Sequence, residues 1–242
     1  MLKKWLTYSF YIIAFIAIGA LMSFANARHN SKTISGLNIS VVDYDSLRFV
    51  NKTTINKEIR KVYDSLEFKS KNSIDIALLE RKINKIKNVD KAEVYVDIKN
   101  KLSVNVKQRN PIGRILSKGY NCYIDINGNT MPLSPNYTAN VMLIEGKVNK
   151  NNLKDIYTLI TYIRNDEILK NQLVSITVDK NNEYSFRTRK GNQVIEFGKA
   201  KNIEQKFDKL LIYYRKTVSD FGWRRYKKIN LKFTNQVVCT KR

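Results

Sequence analysis

Hydrophobic positions follow three rhythms along this 242-residue chain. From Trp5 to Ala27 they run almost unbroken, WLTYSFYIIAFIAIGALMSFANA, with no charged residue. At about 1.5 Å per residue such a run crosses a hydrocarbon core of roughly 30 Å, so it predicts a transmembrane helix over residues 5–27. Lys3 and Lys4 precede it without an acid, and the positive-inside bias keeps the tail, residues 1–4, in the cytoplasm. The run admits a second reading as a cleaved secretory signal, with Lys3-Lys4 as its charged region and Ala25-Asn26-Ala27 as a small-x-small cleavage site. Its apolar part from Tyr8 to Phe24 exceeds the usual signal core of about 7 to 15 residues, which favours a retained anchor. Both readings export the remainder.

After a polar linker, residues 28–36, the pattern becomes periodic. Leu37 to Tyr44 reads as a strand. Thr53 or Thr54 offers a cap to a helix with Ile55, Ile59, Val62 and Leu66 on one face. Asp75 caps a second helix that buries Ile76, Leu79, Ile83 and Ile86 and ends near Asn88. Two strands with strict alternation follow, Ala92-Val94-Val96-Ile98 and Leu102-Val104-Val106. A three-residue loop at Lys99 to Lys101 pairs Ile98 with Leu102, Val96 with Val104 and Val94 with Val106, which buries one face. Residues 37–108 thus read strand-helix-helix-strand-strand.

From Arg109 to Arg242 short strands and turn signals dominate. Strands are expected at Ile112–Leu116, Asn121–Ile126, Val141–Glu145, Ile176–Val178, Tyr184–Thr188 and Val194–Phe197, with Asn127-Gly128 turning into Thr130-Met131. Helices are marked by Leu153, Ile156, Ile160 and Ile163, and by Ile203, Phe207, Leu210, Tyr214 and Val218. Two strands close the chain, Ile229–Phe233 and Gln236–Thr240. The fold class is therefore α+β: one transmembrane helix, a small mixed module over residues 37–108, and a β-rich domain with two helices over residues 109–242. The string DINGN at Asp125 is a turn rather than a calcium loop, because its glycine stands fourth and Asn136 occupies the twelfth place.

Composition narrows the chemistry. Lys and Arg number 44 against 21 Asp and Glu, a net charge of +23. Nucleic acid is the usual partner of such a balance. An exported chain meets anionic lipid, acidic wall polymer or an acidic protein instead, and the lysines are scattered as on a solvated surface. His29, the single histidine, lies in the linker, so a Ser-His-Asp or Cys-His unit and a zinc site lack their ligands. No catalytic, cofactor or metal residue is assigned. Cys122 and Cys239 are too few for a disulfide framework; an oxidising compartment would allow the two to pair, and two buried free thiols are the favoured expectation.

Several segments resemble the FtsQ/DivIB family of bacterial division proteins. SIDIALLERKINKIKNVDKAEVYVDIKNKLSVNVKQRNPIGRI, residues 73–115, is similar to the end of that family's POTRA module, where a "V..A.V" strand leads to "L.V.V.ER.PVAR". Val89, Ala92, Val94, Leu102, Val104, Val106, Arg109, Pro111 and Arg114 occupy the matching places. YIDINGNTMPLS, QVIEFGKAKNIEQKFDKL and INLKFTNQVVCTKR resemble later segments in the same order. Gln108, Phe197, Asn230 and Lys232 depart from the family's Glu, Leu, Asp and Arg.

The resemblance implies a non-catalytic scaffold in the inner membrane at the division septum, its C-terminal domains periplasmic. Its partners would be bitopic proteins of the FtsB/FtsL type and, through them, the septal peptidoglycan synthesis complex, with no nucleic acid and no small-molecule substrate. The alternative is an exported basic module that binds wall polymer or anionic lipid. Asn110-Pro111 is extended and stiff, so Arg109, Pro111 and Arg114 are expected at an interdomain joint, the arginines pairing with carboxylates or carbonyls. The last strand is expected at a sheet edge, where unpaired backbone groups template strand addition. Phe233, Asn235, Val237, Val238, Thr240 and Lys241 are the candidate partner-binding residues. The family's use of this C-terminal end points the same way, although Lys241 stands near a place where some relatives carry an aromatic residue.

Overall fold

The computed structural model describes residues 11–23, 32–43, 46–66, 69–218 and 222–242. Residues 11–23 form a helix, α1, whose Tyr11, Ile12, Phe15, Ile16 and Met22 are exposed. Among the described residues no helix is long and apolar enough to cross a membrane. The two ends of the expected span, residues 5–10 and 24–27, lie outside the described residues, as do Tyr44 and His29.

The chain divides into two units, residues 1–108 and 109–242. In the first, β1 (Gly36–Val42), α2 (Lys52–Val62), α3 (Ile76–Asn84), β2 (Val89–Val96) and β3 (Lys101–Gln108) make a three-stranded sheet of order β1-β3-β2 with two helices. β1 runs parallel to β3, and β2 antiparallel to it. Ile55, Ile59, Leu79 and Ile83 from the helices meet Ala92, Val94, Leu102, Val104 and Val106 in the core. Gln108, the departure from the family's Glu, is buried and neutral. Its Oε1 accepts Val50 N at 2.8 Å and its Nε2 donates to Leu47 O at 2.6 Å, so an uncharged amide serves both roles at once.

Four local expectations shift in this unit. Asn51, not Thr53 or Thr54, caps α2, its Oδ1 accepting Thr54 N at 2.7 Å. α2 stops at Val62, so Leu66 lies past it. α3 keeps its Asp75 cap but ends at Asn84 rather than near Asn88. The β2–β3 loop keeps three residues yet sits one residue earlier, Ile98 to Asn100, and pairs Val96 with Leu102, Val94 with Val104 and Ala92 with Val106. The cause is chemical: Asp97 Oδ1 accepts both Lys99 N and Lys101 N, and Asn100 takes the left-handed φ of 59° that closes the turn. Ile98 is left at the tip, 95% exposed.

The second unit is one nine-stranded sheet of order β12-β11-β10-β9-β8-β7-β4-β5-β6. Its strands are β4 (Pro111–Ser117), β5 (Tyr120–Asp125), β6 (Thr130–Pro132), β7 (Met142–Gly146), β8 (Leu173–Val178), β9 (Tyr184–Thr188), β10 (Val194–Gly198), β11 (Tyr226–Asn230) and β12 (Val238–Lys241). α4 (Leu153–Arg164) and α6 (Ile203–Tyr213) supply the helical part of its core, and a short α5 (Glu167–Gln172), absent from the sequence reading, precedes β8. Phe207 of α6 joins the halves of this core, its ring centroid 4.9 Å from Phe197, 5.6 Å from Phe186 and 5.1 Å from Tyr162. The expected long helix does continue past Tyr213, but as a π-helical turn, Tyr214–Val218.

The closing strands are displaced toward the N-terminus and C-terminus of their expected spans. β11 ends at Asn230, so Leu231 is buried beyond it and Phe233 is not in a strand. Parallel pairing with β10 sets this limit: Ile229 faces Ile195 and Asn230 faces Glu196, whose Oε2 accepts Asn230 Nδ2 at 3.0 Å. Asn230 Oδ1 then accepts Lys232 N at 2.9 Å and turns the chain away. Cys122 on β5 and Cys239 on β12 are free, half-buried thiols, with six strands of the sheet between theirs. Burial raises both above the ordinary thiol range, which keeps them protonated.

Candidate partner-binding site

A nine-stranded open sheet has two edges, and here they differ. β6 is three residues long and ends on Pro132, which has no backbone N–H, so it is a poor template for another strand. β12 pairs with β11 through Asn230–Val238, Ile229–Cys239, Lys228–Thr240 and Tyr226–Lys241, and among the described residues its other side has no neighbouring strand in the sheet.

Side chains alternate along β12 and divide the expected residues in two. Val237, Cys239 and Lys241 line a groove of about 640 Å³, together with Asn235, Gln236 and Tyr226. Val238, 42% exposed, and Thr240 fall on the alternate register. Phe233 stands in the connecting turn, 47% exposed, and is not part of the groove lining. The far wall comes from α6 and its π turn: Lys209, Ile212, Tyr213, Lys216 and Thr217. The sequence reading missed this wall. Its signal was Ile212, an apolar residue off the Ile203-Phe207-Leu210-Tyr214 stripe and half exposed. The π turn belongs to the same wall, since one extra residue in the turn carries Lys216 and Thr217 to the groove.

The groove has an apolar floor and a basic rim. Lys209, Lys216 and Lys241 line it, and among the described residues no carboxylate does. Tyr213 forms part of the floor, held by Gln193 Nε2 at 3.4 Å from its hydroxyl, and burial raises its pKa above the ordinary phenol range. Among the described residues no group of His, Cys, Asp and Glu is arranged to hold a metal ion.

All of this edge strand but Lys241 lies inside the stretch, residues 110–240, that matches the family model "FtsQ/DivIB, C-terminal related". The match covers more than half of the chain. The chain belongs to the FtsQ/DivIB family. Family membership supports a role in cell division and division-complex proteins as its partners. No curated protein matches the chain in sequence.

The residues expected at the joint have firm places in the second unit. The Arg109 guanidinium meets Asp125 Oδ2, with Nε at 2.7 Å and one terminal nitrogen at 2.5 Å, and that nitrogen also donates to Thr130 O at 3.1 Å. Pro111 opens β4 and is buried opposite Asp125. Arg114 lies over the ring of Tyr123, 6.0 Å from its centroid, and its buried Nε has no hydrogen-bond partner. The ring face supplies that guanidinium with electrostatic contact instead.

Proposed function

We propose that this FtsQ/DivIB-family chain is a non-catalytic, membrane-anchored scaffold of the division septum. In this reading residues 5–27 form a retained single-pass anchor with residues 1–4 in the cytoplasm, and residues 37–108 and 109–242 lie on the periplasmic side of the inner membrane. Residues 37–108 serve as a POTRA-like module, a reading supported by their β-α-α-β-β order and the β1-β3-β2 sheet. Arg109, Pro111 and Arg114 stiffen the passage into the second unit. A small bitopic protein of the FtsB/FtsL type adds a strand to β12 and brings septal peptidoglycan synthesis to the site.

The observation that carries this reading is the unpaired edge of β12 within the family-matched stretch. Strand addition takes affinity from backbone bonds and selectivity from alternate side chains. The groove residues Asn235, Val237 and Lys241 receive one face of the partner's segment, while Phe233, Val238 and Thr240 meet its other side or its ends. Lys216 and Lys241 in the groove lining favour a segment carrying acidic residues, and such charge complementarity acts mainly on encounter and selectivity.

Successive residues of a strand point their N–H groups to opposite sides, so proline at Val238 and at Cys239 removes a donor of each direction. With a co-expressed FtsB-type protein, Val238→Pro or Cys239→Pro is expected to reduce capture by about ten-fold or more, as the loss of one or two interfacial hydrogen bonds and their strand geometry requires. Melting of the second unit should hold, because β12 is terminal and short. Two folded variants that both capture the partner like wild type would remove the terminal strand as the site.

A further inference from the structure

Two side chains from the body of the second unit, Gln193 and Lys209, hold the β11–β12 hairpin by its backbone carbonyls, and Arg242 at the hairpin's end reaches back to the body. Gln193, fully buried, donates Nε2 to Trp223 O at 3.2 Å and Tyr226 O at 3.1 Å, where the chain enters β11. The Arg242 guanidinium donates to Gly191 O just past the end of β12. Between them Lys209 of α6 sends Nζ to Leu231 O at 3.4 Å, to Thr234 O at 3.2 Å and to Phe233 O. An ammonium has three donors, and this one aims all three at the segment that leaves β11.

That segment needs an external hold. Seven residues, 231–237, separate the two strands, whereas hairpin loops of about 2 to 5 residues fix strand register by their own turn geometry. Leu231 N bonds Glu196 O and Lys232 N bonds Asn230 Oδ1, so the start of the loop is anchored. Fixing the carbonyls of Phe233 and Thr234 leaves Asn235 to Val237 to reach β12. These three residues also line the groove.

We infer that Lys209 is a positioning residue for the edge strand, fixing where β12 begins and where the groove lies beneath it. This rests on the reading of β12 as the partner site. Burial lowers the Lys209 pKa, so the folded chain holds this proton less firmly than the unfolded chain does. The sign is therefore a cost at neutral pH, relieved as pH rises through the folded value toward the unfolded value of about 10.4.

Amide hydrogen exchange of the full chain in nonionic detergent, without partner, tests this directly. Lys209→Met keeps the length of the side chain and removes the three donors. It is expected to speed exchange of the 232–241 amides by about ten-fold, a local opening, while β4 and β8 amides keep wild-type rates. Lys209→Arg, which retains donors, should stay closer to wild type than Lys209→Met. Unchanged exchange over 232–241 in Lys209→Met, or an equal rise throughout the second unit, would overturn the inference. A second readout separates this inference from the reading beneath it. With the co-expressed FtsB-type protein, Lys209→Met should lose capture in proportion to the opening. Normal capture by an opened Lys209→Met variant overturns the positioning role if Val238→Pro and Cys239→Pro still abolish capture. Normal capture by all three shows instead that β12 is not the site.

Discussion

Asp125 spends two oxygens on three tasks. Oδ1 accepts Asn127 N at 3.0 Å and Asn129 N at 2.8 Å, which closes the turn before β6, and Oδ2 takes the Arg109 guanidinium. Its side chain is 2% exposed and that of Arg109 16%, so the pair is removed from water. Truncating one partner of such a pair leaves an uncompensated buried charge and typically costs about 3 to 5 kcal/mol. Arg109→Ala is therefore expected to lower unfolding stability by about 3 kcal/mol in urea titration, read from the linear extrapolation. A loss below about 1 kcal/mol, the range of exposed pairs, would mean the pair is solvated. Part of this is legible in the sequence: the DINGN string marks Asp125 as a turn residue. Arg109 is expected to pair at an interdomain joint, whereas the carboxylate it meets, Asp125, lies in its own unit. Their meeting was not legible, since residues 16 apart in the chain share no local period.

Among the elements, helix faces and strand faces were the most legible, because burial imposes them locally. Ile55 and Ile59, Leu79 and Ile83, and Ile156, Ile160 and Ile163 are all buried as their spacing requires. Boundaries and registers were less so, because side chains that bond the backbone decide them. Asp97 and Asn100 moved the β2–β3 loop by one residue, and Asn230 ended β11 before the Ile229-Leu231-Phe233 alternation ran out. The π turn after α6 has no periodic signature of its own. α6 offers an element-scale test. Phe207 is fully buried among Tyr162, Phe186 and Phe197, and Phe207→Ala removes the ring that ties α6 to α4 and the sheet. The expected loss is about 3 to 5 kcal/mol in the unfolding of the second unit. A loss under about 1 kcal/mol would show that α6 is not held through this cluster.

For the whole molecule, the charge of +23 and the apolar N-terminal run act together. A retained anchor places a basic chain beside anionic headgroups, whose attraction fades over about 8 Å at physiological salt. Retention is checked by intact mass: a mature chain that still carries residues 5–27 is expected, and a mature form beginning at Arg28 would contradict it. Of the candidate site, the sequence marks a closing strand, which the structure places at Val238–Lys241 rather than Gln236–Thr240. It did not show the opposite wall, because α6 reaches β12 only through the order of the folded sheet. The central claim is that β12 receives the division partner. The most direct measurement is amide exchange of the full chain with and without a co-expressed FtsB-type protein. The account predicts that the partner slows exchange at Val238–Lys241 and leaves β6 at its free rate. Protection confined to other strands, with β12 exchanging as in the free chain, would contradict it.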